Sequence, residues 1–295
     1  MLPVYNGENF IQNAIDSLLN QTYKNFELII LDNNSKDQTA AICKKYAKED
    51  ARIKYILDDK DRTANEAQTH LSTLVRGEYC LLVGDDDRWE SDYIETLVNY
   101  LILNKDVKMV YTKMNLFNTD DEVVESDLPK TILKRENSIF KNLFIYLIIR
   151  SCVPMVFGLF RTNEYKENGE WKIFDHTLTD VDNLFVINFL SKNKVHCINK
   201  EMFFYRQKDR NYQKSGSANL KWQTNKENNY FSNKFEKIIH EFSLLKQILI
   251  ILNKTKISTL RRFTLFLVAI IISFERSLLN KSKFIGSQLR KVIKF

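Results

Sequence analysis

Apolar residues in the first hundred positions alternate between helical spacing and short continuous runs. Between Glu8 and Gln21, Phe10, Ile11, Ala14, Ile15, Leu18 and Leu19 share one face, which predicts a helix. Phe26 to Leu31 is an apolar run closed by Asp32-Asn33-Asn34-Ser35, which predicts a strand and a polar turn. A helix over Asp37 to Tyr46 and a strand over Ile53 to Leu57 follow. Next come a helix over Thr63 to Val75, with Gly77 as its stop signal, and a strand over Glu78 to Val83. Ser91 caps a further helix to about Leu103, and Val107 to Tyr111 reads as a strand. This alternation predicts an α/β layer on a largely parallel sheet. Such sheets bind ligands at the carboxyl ends of their strands, where Asp32 and Asp85-Asp86-Asp87 both fall.

The pattern loosens downstream. Asn115 to Arg135 is polar and acidic and reads as a loop. Ile139 to Ile149 reads as an apolar helix and Val153 to Phe160 as a strand. Asp180 opens a helix, and Val195 to Ile198 and Met202 to Tyr205 read as two short strands. Long helices with basic faces are predicted from about Leu220. A boundary falls within 210–220, giving a body over 1–215, with halves 1–112 and 113–215, and a basic helical region over 216–295.

Charge sharpens that division. The 295 residues carry a net charge of +7, yet residues 1–199 hold 24 Lys and Arg against 31 Asp and Glu, and residues 200–295 hold 20 against 6. A basic tail on an acidic body implies an anionic partner for the tail, such as acidic membrane head groups. No recognisable nucleic-acid reading motif accompanies the basic residues, so no nucleic-acid partner is expected. Cys43, Cys80, Cys152 and Cys197 are widely spaced with no CxxC, which fits reduced structural thiols in a cytosolic protein. No secretory signal and no run of 18 apolar residues is present.

The candidate chemistry centres on Tyr79-Cys80-Leu81-Leu82-Val83-Gly84-Asp85-Asp86-Asp87, a buried run that ends in three carboxylates. Adjacent like charges repel, and a cation offsets that repulsion. Mg²⁺ and Mn²⁺ prefer oxygen ligands and complete their shell with substrate phosphates. A solvated acidic turn is the competing reading of the motif alone.

Several segments together resemble family 2 glycosyltransferases of the GT-A fold. They are Pro3-Val4-Tyr5-Asn6-Gly7-Glu8, Ser17-Leu18-Leu19-Asn20-Gln21-Thr22-Tyr23, Phe26 to Thr39, and Arg76-Gly77-Glu78-Tyr79 leading into Asp85-Asp86-Asp87. Order and spacing match over about 3–100 and more thinly to about 210, through Gly158 to Arg161, Thr179-Asp180 and Phe204-Tyr205-Arg206. The resemblance implies a Rossmann-like, mostly parallel sheet flanked by helices, with a basic helical C-terminal extension. It implies a nucleotide-diphosphate sugar donor, UDP-sugar first, and a glycan or lipid-linked acceptor. Asp86, with Asp87, would hold Mn²⁺ or Mg²⁺. Asp85 would face the ribose, Asp32 the base edge, Tyr5 and Glu8 the nucleoside pocket, and Arg62 the diphosphate. Asp180 would be the general base of an inverting transfer, with Asp182 and Asp175 as competing candidates and a helix N-cap as its ordinary reading.

Two departures from the family carry expectations. The apolar strand that normally precedes Pro-Val-Tyr-Asn is missing here, so the expectation is a sheet lacking its first strand. The start would then lie upstream, or the product would be poorly stable. Gly84 also stands where many relatives carry the first Asp of DxD. Surface polysaccharide synthesis in the cytoplasm, peripheral to the inner face of the plasma membrane through 244–295, is the expected setting. The alternative is a catalytically decayed, membrane-associated binding or scaffold subunit. A nucleotidyltransferase would need a Gly-rich basic loop where Pro3 to Glu8 stands, and a dehydrogenase a GxGxxG after a strand.

Overall fold

The computed structural model describes residues 1–60, 62–124, 133–149, 153–168, 181–207 and 234–279. Strand β2 (Leu28–Asp32) is buried at every position, which is why its sequence is continuously apolar until the closing acid. It lies between β1 (Leu2–Val4) and β3 (Ile53–Leu57), parallel to both. Val4 stands opposite Asp32, and Asp32 opposite Leu57, so three strand ends meet at one edge. Helix α1 (Ile11–Leu19) follows β1 and buries Ile11, Ala14, Ile15 and Leu18, the predicted face. Helix α2 (Thr39–Glu49) connects β2 to β3. Helix α3 (Ala64–Leu74) starts at a capping box in which Thr63 and Glu66 each satisfy the other's backbone N–H.

The expectation of a missing first strand is corrected. Leu2–Val4 forms a short first strand, with Leu2 and Val4 fully buried. Met1 carries the pairing across to β4 (Tyr79–Leu81): its amino group donates to the Leu81 carbonyl at 2.9 Å, and Val83 N–H donates to the Met1 carbonyl at 3.0 Å. The backbone bonds of Met1 to Val4 therefore join the strands on either side. Behind Met1, at the amino ends of these strands, lies a cavity of about 550 Å³ bordered by Leu18, Phe26, Leu28, Val75, Tyr79 and Leu81. It faces away from the carboxylates.

Parallel pairing dominates the first half, and the second is mixed. Its elements are β5 (Arg88–Trp89), α4 (Tyr93–Leu103), β6 (Val107–Phe117), β7 (Val123–Val124), α5 (Ile139–Ile149), α6 (Val153–Val156), β8 (Leu159–Arg161), α7 (Thr162–Asn168), α8 (Val181–Leu190) and β9 (Lys194–Arg206). The strand order is β4-β8-β6-β9-β5, with β7 hydrogen-bonded to β6. β6 and β9 are parallel; the other pairs are antiparallel.

Three sequence expectations change here. The run Val153 to Phe160 is not one strand: Pro154 sits in the first turn of α6, where a missing N–H costs least, and β8 begins only after Gly158. The polar stretch after Asn115 is not all loop, because β6 runs to Phe117 and returns as β7. Asn118 Oδ1 accepts from the Asp120 and Glu122 amides, and Asp121 takes a positive φ of 67°. Those polar residues build a tight turn. Finally, β9 is one strand where two were expected, and its register shifts opposite Thr112 to Met114, near the polar Asn199-Lys200-Glu201.

Helices α9 (Lys234–Asn253) and α10 (Thr259–Leu279) are the long C-terminal helices that the sequence predicts. Leu244, Ile248, Ile251 and Leu252 of α9 and Leu265 and Ala269 of α10 share one core cluster with Leu143 and Tyr146 of α5, Leu184 of α8 and Tyr111 of β6. Burying each such side chain fully is worth roughly 1.5–3 kcal/mol. Their inner faces thus pack onto the body. No described helix is long and apolar enough to cross a membrane.

Candidate active site

The carboxyl ends of β1, β2 and β3 lie side by side, and the turn after β4 meets the end of β1 at Gly7. At the end of β2, Asp32 is fully buried. Its Oδ1 accepts from Ser35 N–H at 2.8 Å, and its Oδ2 accepts from the Tyr55 hydroxyl at 2.7 Å. A carboxylate sealed in this way is fixed in orientation, because moving it would strand two donors. Burial and the bond to Asp32 both push the Tyr55 hydroxyl pKa up.

Tyr5 is buried just beyond β1, and Asn6 follows in the left-handed region at φ 51°. That turn aims three successive amides at the β2–α2 loop. Asn6 N–H donates to Ser35 Oγ, Gly7 N–H to Thr39 Oγ1 and Glu8 N–H to Asp37 Oδ2, at 2.9, 2.8 and 3.1 Å. The Glu8 carboxylate accepts from Gln38 N–H at 2.8 Å, at the start of α2. Glu8 therefore ties the loops at the rim and is itself exposed.

Arg62 lies beyond β3. Its Nε pairs with the buried Asp58 carboxylate, and the Asn33 side chain grips its backbone, donating to the Arg62 carbonyl at 2.8 Å and accepting from its N–H at 3.3 Å. The expected diphosphate contact thus sits on the same rim as Asp32, held by an ion pair that the sequence reading did not name.

The three consecutive acids have different surroundings. Asp85 is half-buried and leans over Gly7: its Oδ2 lies 2.6 Å from where a Gly7 Cβ would stand. Only glycine allows that approach. Asp86 is half-buried, and Asp87 is buried at the end of the turn. Both turn toward Gly84, where an added Cβ would lie 2.4 Å from Asp87 Oδ2 and 3.3 Å from Asp86 Oδ1. The Gly84 departure thus makes room for the two carboxylates. Asp87 Oδ1 also accepts from Arg206 N–H at 2.9 Å.

The structure therefore places Tyr5, Glu8, Asp32, Arg62, Asp85, Asp86 and Asp87 around the carboxyl ends of β1 to β4. Asp180 lies outside the described residues, immediately before α8. No group of three or more His, Cys, Asp or Glu side chains among the described residues is arranged to hold a metal by itself. Two hard carboxylate oxygens over Gly84 suit a cation that takes its other ligands from phosphates and water. Cys43, Cys80 and Cys197 are buried and free, with thiols pushed by burial up to about 12, so they are unreactive. Tyr55, Asp58 and Asp121 escaped assignment from the sequence, and Arg206 was named only within Phe204-Tyr205-Arg206, a segment resembling the one that closes the site. Only Arg206, a charge closing an apolar strand, left a local signal.

The glycosyl transferase family 2 model matches residues 1–162, and the chain belongs to that family. Glycosyltransferase GlyA of Streptococcus pneumoniae is 36% identical over 102 residues, covering 35% of this chain and 14% of that protein. The Escherichia coli UDP-Glc:alpha-D-GlcNAc-diphosphoundecaprenol beta-1,3-glucosyltransferase WfgD is 27% identical over 142 residues, 48% of this chain and 54% of that one. The matched stretches are thus about half or less of these relatives' lengths. Among solved structures, Staphylococcus aureus TarS 1–349 in complex with UDP superposes with a TM-score of 0.66 at 16% identity, covering 99% of this chain and 77% of that one. The mannosyltransferase PcManGT from Pyrobaculum calidifontis, in complex with GDP-Man and Mn²⁺, gives 0.56 at 13% identity, with 99% and 77% covered. These likenesses establish the GT-A fold.

Proposed function

We propose that this protein transfers a sugar from a nucleotide-diphosphate sugar, UDP-sugar first, to a hydroxyl of a glycan or lipid-linked acceptor with inversion. The observation that carries the reading is the placement of Tyr5, Asp32, Asp85 and Asp86 around the carboxyl ends of β1, β2 and β4. The UDP bound by TarS, the UDP-Glc in the name of WfgD and the GDP-Man bound by PcManGT support a nucleotide-sugar ligand.

Asp32 lies fully buried behind the base edge, where it fixes the β2–α2 loop through Ser35, and Asp85 faces the ribose, with Tyr5 and Glu8 bordering the nucleoside and Arg62 poised at the diphosphate. Asp86, with Asp87 beside it, would hold Mn²⁺ or Mg²⁺, which supplies charge stabilisation to the departing diphosphate. Asp180 takes the proton from the acceptor hydroxyl as that oxygen bonds to the anomeric carbon. The bond from that carbon to the diphosphate oxygen breaks, and the configuration inverts. In this reading 1–215 is the transferase body, with donor and acceptor halves at 1–112 and 113–215, and 216–295 is the helical extension.

The diphosphoundecaprenol in the name of WfgD supports a lipid-linked acceptor and cell-surface polysaccharide synthesis. The outer face of the C-terminal helices would then meet anionic head groups from the cytoplasmic side. Phe242, Leu249 and Ile250 of α9 and Leu260, Phe263, Leu267 and Ile271 of α10 are exposed there, among Lys246, Lys254, Lys256 and Arg261. The test is incubation with Mn²⁺ and a panel of nucleotide sugars, reading nucleotide release. Donor- and metal-dependent release is expected. Nucleotide binding with no release from any donor points instead to a decayed binding subunit.

A further inference from the structure

We propose that Arg206 is the positioning residue of the Asp85–Asp87 turn, acting as a rigid fork that sets the Asp86 carboxylate; this rests on reading Asp86 as a metal ligand. Arg206 ends β9, and its side chain is 1% exposed. Each of its nitrogens is engaged with protein. The backbone N–H donates to Asp87 Oδ1 and Nε to the Asp86 carbonyl, both at 2.9 Å. Nη1 donates to the Asn118 and Thr119 carbonyls at 2.9 and 3.3 Å, and Nη2 to Asp121 Oδ1 at 2.6 Å. The guanidinium lies between the rings of Phe10 and Phe117, 4.3 and 4.1 Å from their centroids.

A buried cation is costly unless paired and hydrogen-bonded, and this one has a carboxylate, three carbonyls and two ring faces. Its role follows from where those bonds go. Nε holds the carbonyl of the peptide between Asp86 and Asp87, and the backbone N–H holds the Asp87 carboxylate, so the acidic turn is gripped from one side at two successive residues. With that peptide fixed, the Asp86 carboxylate stays over Gly84. The remaining bonds anchor the turn to Asn118–Asp121, while Phe10 links it to the start of α1. Four of the five side-chain N–H groups are spent on the protein and the side chain is 1% exposed, which separates positioning from contact with a diphosphate. Lysine has the charge but not the planar fork.

The experiment measures Mn²⁺ affinity in the presence of UDP by calorimetry, with thermal melting and near-UV circular dichroism, on the full chain and on Arg206→Lys, Asp121→Asn and Asp86→Ala. Arg206→Lys is expected to weaken Mn²⁺ binding about 10-fold or more, the effect typical of losing a partner that orients a ligand, with a near-UV spectrum like the parent's. Asp121→Asn, on a half-exposed turn, is expected to weaken it less and in the same direction. Unchanged affinity in Arg206→Lys, alongside loss in Asp86→Ala, overturns the positioning role and leaves the metal reading standing. Loss of affinity only in step with loss of the native spectrum also overturns it. If Arg206→Lys does not fold, unchanged affinity in Asp121→Asn overturns the proposal. If the parent binds no Mn²⁺, or Asp86→Ala binds it equally, the metal reading itself fails.

Discussion

Asp85 and Gly7 meet where the ends of β4 and β1 converge: the carboxylate oxygen stands 2.6 Å from the position of a Gly7 Cβ. A methyl group there would also come within 2.8 Å of Val4 Cγ2. Gly7→Ala must therefore push Asp85 away or shift the end of β1. The expected outcome is about a tenfold loss of UDP affinity, with a stability loss of about 1–3 kcal/mol typical of overpacking. Calorimetry with UDP and a urea titration check the two parts. Wild-type affinity in Gly7→Ala would separate Asp85 from the nucleotide.

Tyr55 and Asp32 make the second informative pair. Tyr55→Phe removes the hydroxyl that holds Asp32 Oδ2 and keeps the ring. Stability should fall by about 1–3 kcal/mol, the cost of leaving a fully buried acceptor oxygen without its donor. UDP binding should weaken as the carboxylate gains freedom. An affinity equal to the parent's would mean that the orientation of Asp32 does not matter to the nucleoside.

The exposed row on α10 tests the membrane proposal. Leu260 is 76% and Phe263 57% exposed, with Arg261 between them. Leu260→Asp with Phe263→Asp should leave folding intact and reduce co-sedimentation with phosphatidylglycerol vesicles at least several-fold. Equal binding by parent and double variant, or none by either, would remove this face from the proposal.

Much of residues 1–112 was legible because the physics there is local. β2 is buried on both faces, so its sequence is unbroken apolar until Asp32, and α1 shows its buried stripe at helical spacing. The glycines at 7 and 84 are visible as letters, but the carboxylates they admit are not. Val153 to Phe160 was misread because a short apolar run suits a helix or a strand equally. The Asn118–Glu122 turn looked like generic polar loop. Arg206 and Asp86 are 120 residues apart, and no local pattern encodes that contact. Tyr55 reads as an ordinary strand residue until the β2–β3 register places it beside Asp32.

The most direct test of the central claim is nucleotide release from a nucleotide sugar with Mn²⁺, alongside UDP binding, in the parent, Asp86→Ala and Asp180→Ala. The expected result is release by the parent alone. Asp180→Ala should keep metal-dependent UDP binding, and Asp86→Ala should lose it. Release by Asp86→Ala at the parent's rate, or release and metal-dependent binding absent in all three, would contradict the account.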